Sequence, residues 1–284
     1  MKSVVVTGVS TGIGWGIAKV LLAEGFRVYG SVRKRTDADR LKAEFGANFV
    51  PLLFDVTDEA AVLAASREVR AALKGETLAG LVNNAGIAVS GPLLEISLDD
   101  FRRQIEVNLT AQVIVTQAFA PLLGADASLR GEPGRIVMMS SVGGRRGLPF
   151  IGPYAASKHA LEGLSESLRR EMMLFGIKVI IIGPGAINTP IWDKTGGIDI
   201  AAYKNSPYLS ALERARAAMQ GISGKGLPPE RVGELVHRVL TISSPRGRYA
   251  IVPNRLEYFI SRLLPRRVLD RIIARRLGLL PKKG

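Results

Sequence analysis

The chain has 284 residues, 47% hydrophobic and 23% charged, with a net charge of +14; this balance excludes a disordered chain and allows one large domain or two small ones. It has no cysteine and only two histidines, His159 and His237, which excludes disulfides, thiolate chemistry and a His- or Cys-built metal site. No run reaches the ~20 apolar residues of a membrane span, and the opening MKSVVVTGV turns glycine-rich too early for a secretory leader, so the expected location is cytoplasmic.

In chain order, SVVVTG, RVYGSV, NFVPLLFDV, LAGLVNNAG, RIVMMSS, KVIIIGPG and RYAIVP are short, apolar and rich in β-branched residues. Such runs suit strands buried on both faces, and the amphipathic stretches between them, GWGIAKVLLAEG and DEAAVLAASREVRAAL among them, suit crossover helices. The alternation predicts an α/β fold, a doubly wound parallel sheet of seven strands in a single domain over 1–253. Two segments fall outside the alternation. Residues 189–226, between the sixth and seventh strands, read as a substrate lid ending in a helix, and 254–284 as a basic amphipathic extension.

After the first strand comes TGVSTGIGWG, with Gly8, Gly12 and Gly14. Glycines between a strand and a helix let the backbone approach a pyrophosphate, which then sits on the helix N-terminus. Further on, YAASK places Tyr154 and Lys158 at i and i+4, on one helix face with Cβ atoms about 5–6 Å apart. Alone, that pair reads as a surface tyrosine stacked on a lysine stem, so its context decides.

That context resembles the short-chain dehydrogenase/reductase family over residues 1–255. The likeness rests on TGVSTGIG at 7–14, DVTD at 55–58, NNAG at 83–86, Asn108 in VNL, Ser141 in SSVGG thirteen residues before Tyr154, the YxxxK pair, and PGAINT at 184–189. It implies a Rossmann-type fold with Tyr154, Lys158, Ser141 and Asn108 as catalytic residues. It also implies a dinucleotide held by Gly8, Ser10, Thr11, Gly12, Ile13 and Gly14, by Asp55 and Val56, by Asn84, Ala85 and Gly86, by Pro184, Gly185, Ile187 and Thr189, and by Tyr154 and Lys158 themselves. Asp55 is placed to accept from an adenine amino group, while Asp58 is the expected cap of the helix that follows.

Hydride addition to a carbonyl leaves an alkoxide that needs a proton. A phenol with its ordinary pKa near 10 is expected to supply it, with the Lys158 ammonium drawing that pKa down. The resemblance adds that Lys158 holds the nicotinamide ribose, that Ser141 hydrogen-bonds the substrate oxygen, and that Asn108 keeps a water in a proton relay. At the end of the second strand, Val32 stands where an acid would bind the adenosine ribose; Arg33 follows it, and Ser31 offers a hydroxyl. NADP(H) is therefore favoured over NAD(H). Thr11 argues the other way, because many NADP-preferring relatives carry a basic residue there.

In the lid, Ile187, Ile191, Trp192, Ile198, Ile200, Tyr203 and Tyr208, facing Pro149, Phe150 and Ile151, predict an apolar alcohol or carbonyl substrate of steroid, retinoid or long-chain kind, or else pack the lid onto the body. In the extension, Leu256, Phe259, Ile260 and Leu263, then Val268, Leu269, Ile272 and Ile273, repeat at helical spacing among nine Lys/Arg and two acids, Glu257 and Asp270. That pattern suits two short helices lying on a membrane surface, on the body or at a subunit interface. No nucleic-acid module is present, so no nucleic-acid partner is expected; the resemblance implies a homodimer or homotetramer. The contrasting reading is a catalytically silent dinucleotide-binding regulator or a peripheral membrane protein. Mere binding would not require Asn108, Ser141, Tyr154 and Lys158 together.

Overall fold

The computed structural model describes residues 1–191, 200–220 and 226–281. All seven expected strands form: β1 Ser3–Val6, β2 Arg27–Val32, β3 Phe49–Leu53, β4 Gly80–Asn83, β5 Arg135–Met139, β6 Lys178–Pro184 and β7 Arg248–Ile251. They build one sheet in the order β3-β2-β1-β4-β5-β6-β7. Every pairing is parallel, with Val4 opposite Val28 on one side of β1 and Val5 opposite Leu81 on the other.

Strands apolar on both faces need cover on both, and the helices between them supply it. On one face, Ile17 and Leu21 of α1 (Gly12–Ala23), Leu41 of α2 (Arg35–Phe45) and Val236 of a later helix pack on Val4, Val6 and Val28. On the other, Val62 and Val69 of α3 (Glu59–Leu73) and Val115 and Phe119 of a further helix pack on Val5, Leu81 and Ile136. Full burial of side chains this size contributes roughly 1.5–3 kcal/mol each. Asp58 caps α3 as expected, its Oδ1 accepting from Ala61 N at 3.0 Å.

The helices α4 (Leu98–Ile105) and α5 (Ala111–Phe119) are joined by a π-helical turn, Glu106–Thr110, which the sequence reading did not foresee. Such turns occur frequently at functional sites, and this one holds Asn108 fully buried. The long α6 (Gly152–Glu171) follows β5. Between β6 and β7, the described part of the lid contains the helix α7 (Leu209–Gln220) expected at its end, and α8 (Pro229–Thr241) carries Val236. Trp192 and Ile198 lie outside the described residues.

The extension forms the two expected helices, α9 (Arg255–Leu263) and α10 (Arg266–Leu277). Leu277 and Ile273 of α10 join Ala211, Leu212 and Ala215 of α7 and Phe150 in one apolar cluster, so α10 is docked on the lid helix. Among the described residues no helix is long and apolar enough to cross a membrane.

The chain winds outward from β1 to β3 and then restarts at β4 on the other side of β1. The loops leaving β1 and β4 therefore diverge at the carboxyl edge of the sheet, where open α/β folds bind their ligands.

Candidate active site

Gly8 and Gly12 have φ of +70° and +63°, in the region that favours glycine. A Cβ on Gly14 would run into Gly8 O and stand 2.6 Å from Asn84 Nδ2. The turn is tied to its neighbours by Thr7, whose Oγ1 accepts from Asn84 N and Ala85 N, both at 2.9 Å, and by Asn84 Nδ2, which donates to Thr7 O at 2.8 Å. Across the crevice, Thr189 comes close enough that a Cβ on Gly12 would stand 3.2 Å from its own Cβ. A Cβ-free backbone at the start of α1 suits the pyrophosphate of a dinucleotide, so the residues present fit the cofactor implied by the sequence.

The far side of the turn differs in part from expectation. Ser31 is buried and its Oγ accepts from Gly8 N at 2.9 Å, so it shapes the turn and is not an exposed hydroxyl for a ribose phosphate. Arg33 reaches out past β2 with Nη1 3.7 Å from Asp55 Oδ2, and Asp55 also accepts from Thr57 N and Oγ1 at 3.0 and 2.8 Å. Val56 is buried in the cluster beneath α3, whereas the partly buried Ile13 and Ile187 pack against the cluster beneath α1 on the other face of the sheet. Pro184 closes β6, and a Cβ on Gly185 would stand 2.9 Å from Val252 Cγ1. The sequence reading missed Arg40: its Nη2 donates to Ser10 O at 2.7 Å, bringing a guanidinium to the glycine turn from α2.

Tyr154 and Lys158 sit on the first turns of α6, both buried, with Lys158 Nζ 5.9 Å from the Tyr154 ring centroid. Lys158 Nζ donates to Met139 O, at the end of β5, at 2.7 Å. Ser141 follows β5, and its Oγ accepts from Gly143 N at 3.0 Å. Burial pushes the Tyr154 phenol up, opposed by a hydrogen bond with Ser141. The sign is opposite to the expected lowering by Lys158, because desolvation disfavours the phenolate. Burial also brings Lys158 down to about 8, opposed by the charge of Glu162.

Asn108 connects the loop after β4 to α6. Its Oδ1 accepts from Ile87 N at 2.8 Å, and its Nδ2 donates to Ile87 O at 3.0 Å and to Ser157 Oγ at 3.1 Å. A Cβ on Gly86 would stand 3.1 Å from Asn108 Oδ1. The side-chain amide is thus engaged in holding the loop.

Over Tyr154 lie Ala88, Ile151 and Ile191, an apolar wall in which the lid takes part. Phe150 has φ +67°, a costly backbone state for a bulky residue. It is held there by Gly91 N, which donates to Phe150 O at 2.8 Å, and by the edge of Tyr208 at 6.0 Å between ring centroids. Arg146, in the segment between Ser141 and Tyr154, buries its Nη1 without a hydrogen-bond partner.

Behind the site, Glu162 stands one turn beyond Lys158. Arg248 Nε lies 3.1 and 2.8 Å from its two oxygens and Arg145 Nε 3.4 Å from one of them. Arg248 Nη2 reaches Ser141 O at 3.5 Å. Burial raises the Glu162 carboxyl, but the hydrogen bond from Arg248 and the two guanidinium charges hold it below the usual carboxylate range.

A sequence model of the family described as short chain dehydrogenase matches residues 2–197. The NADPH-dependent 3-dehydrocapnine reductase of Ornithobacterium rhinotracheale is 38% identical over 287 residues, covering 100% of each chain. Retinol dehydrogenase 16 of Mus musculus is 32% identical, with 88% of this chain and 80% of its own covered. Among solved structures, the closed form of serine dehydrogenase complexed with NADP+ matches with a TM-score of 0.74 at 25% identity, over 88% of this chain and 94% of that one.

Proposed function

The chain belongs to the short-chain dehydrogenase/reductase family, and from that premise we propose that it reduces a lipid-like ketone to a secondary alcohol with NADPH. The observation that carries this reading is the gathering of Lys158 and Ser141 about Tyr154, which itself packs with the apolar Ala88, Ile151 and Ile191. When bound, the reduced nicotinamide supplies the hydride. The chain's own groups handle the oxygen and its proton.

Ser141 Oγ and Tyr154 Oη bind the carbonyl oxygen, and Tyr154 donates its proton as negative charge develops there. The raised pKa of the buried phenol keeps it in the acid form, which suits reduction better than oxidation. Lys158, charged below about pH 8, steadies the phenolate left behind. Asn108 positions the loop after β4 against α6, and by resemblance to the family it keeps a water in the proton relay behind Lys158.

NADPH is favoured by Arg33, by Arg40 beside the glycine turn, and by the absence of an acid at Val32. The NADPH-dependent relative and the NADP+ complex point the same way. The name of one relative, a retinol dehydrogenase, supports a lipid-like substrate, and that of another, an NADPH-dependent reductase, supports the reducing direction. The buried, unpartnered Nη1 of the half-buried Arg146, in the segment between Ser141 and Tyr154, adds a counter-charge for an acidic group on that substrate. Steady-state turnover of long-chain ketones with NADPH, compared between the natural chain and Tyr154→Phe, tests the proposal.

A further inference from the structure

At 3.6 residues per turn, Leu256, Phe259, Ile260 and Leu263 share one face of α9. Such a stripe ordinarily faces a core. Here all four are exposed, by 49 to 68%. Among the described side chains of α9, Tyr258 is turned inward, its phenol oxygen buried beside the Arg248 guanidinium. The helix is seated by its tyrosine and turns its apolar side out. In α10, Ile273 and Leu277 hold the lid helix, while Val268 and Ile272, one turn apart, are exposed.

Interspersed with these apolar residues along α9 and α10 are Arg255, Arg266, Arg267, Arg271, Arg275 and Arg276, all exposed. With only Glu257 and Asp270 against nine Lys/Arg, residues 254–284 hold about half of the chain's net charge of +14 in about a ninth of its length. We infer that α9 and α10 form a peripheral membrane-binding face that lies in the headgroup layer of an anionic bilayer. An apolar stripe interspersed with arginines matches that surface in both of its properties. A second copy of the chain would set one strongly basic face against another, and a neutral apolar partner would leave the arginines without counter-charge. Because α10 is docked on α7, membrane contact would reach the lid over the site directly. The inference stands on the tail alone and does not depend on the proposed reduction.

Cosedimentation of the full chain with vesicles of phosphatidylcholine plus phosphatidylserine, and of phosphatidylcholine alone, tests it. Binding is expected to the anionic vesicles, to weaken with added salt, and to be far weaker on the neutral ones. Phe259→Glu with Leu263→Glu, placed at exposed positions, is expected to lower the binding about tenfold or more with circular dichroism and melting temperature unchanged. Arg266→Gln with Arg267→Gln is expected to lower it in low salt and to flatten its salt dependence. No binding to anionic vesicles, or equal binding by both double variants and the natural chain, would overturn the inference. So would a dimer that Phe259→Glu with Leu263→Glu dissociates in sedimentation without lipid, which would assign the face to a second copy.

Discussion

Arg248 Nε lies 2.8 Å from Glu162 Oε2, across 86 residues of sequence, and so brings a strand-edge guanidinium to the helix that carries Lys158. The pair is mostly buried, and Glu162 is the acid whose charge supports the Lys158 ammonium. The guanidinium groups paired with Glu162 are Arg248 and Arg145, and the Ser140 hydroxyl and the Lys158 ammonium also act on it. Replacing Glu162 by Gln is expected to destabilise the fold by about 3 kcal/mol, because it leaves a buried arginine without its partner. It is also expected to move the alkaline fall in kcat to lower pH, since Lys158 then loses its charge sooner. Adding Arg248→Met should restore part of the stability and leave the pH profile shifted, which a purely structural pair would not do.

The natural chain should itself lose activity as pH rises through about 8, where Lys158 discharges. Stability runs the other way. The folded pKa lies below the usual value of 10.5, so between those two pH values the unfolded chain binds more protons and Lys158's contribution to stability rises with pH. Melting temperature and kcat measured across this window should diverge.

Cofactor choice is predicted to reside in Arg33, which extends into solvent beside Asp55. Losing a charge-assisted contact of about 1.5–3 kcal/mol would raise the KM for NADPH roughly ten- to a hundredfold in Arg33→Ala. The KM for NADH, which carries no ribose phosphate, should stay within about twofold. Equal loss toward both cofactors would remove Arg33 from this role.

For Arg146, the expectation is selective. Arg146→Met keeps the bulk of the side chain and removes its charge, and should raise the KM for a long-chain ketone bearing an acidic group about tenfold while sparing the same ketone without that group. Parallel loss on both ketones would count against an anion-binding role.

Most of the fold was legible because each strand announces itself as a short β-branched run and each crossover as an amphipathic one. Tyr154 and Lys158 were legible as one helix face, but Ser141 and the meaning of the pair came from the resemblance to the family and not from periodicity. What sequence could not supply depends on neighbours chosen by the sheet order. The Glu162–Arg248 pair exists because β7 lies beside β6, and Ser31 turned inward because Gly8 N needed an acceptor. The π turn at Asn108 and the positive φ of Phe150 are backbone states imposed by tertiary contacts. The stripe on α9 had the right period, but periodicity does not say toward which side it faces.

The proton-donor role of Tyr154 is tested most directly by following NADPH absorbance with a long-chain ketone for the natural chain and for Tyr154→Phe, alongside NADPH binding by fluorescence. The account predicts that the variant binds NADPH as the natural chain does and turns over about a hundred- to ten-thousandfold more slowly. Turnover by Tyr154→Phe within a few fold of the natural rate would contradict it.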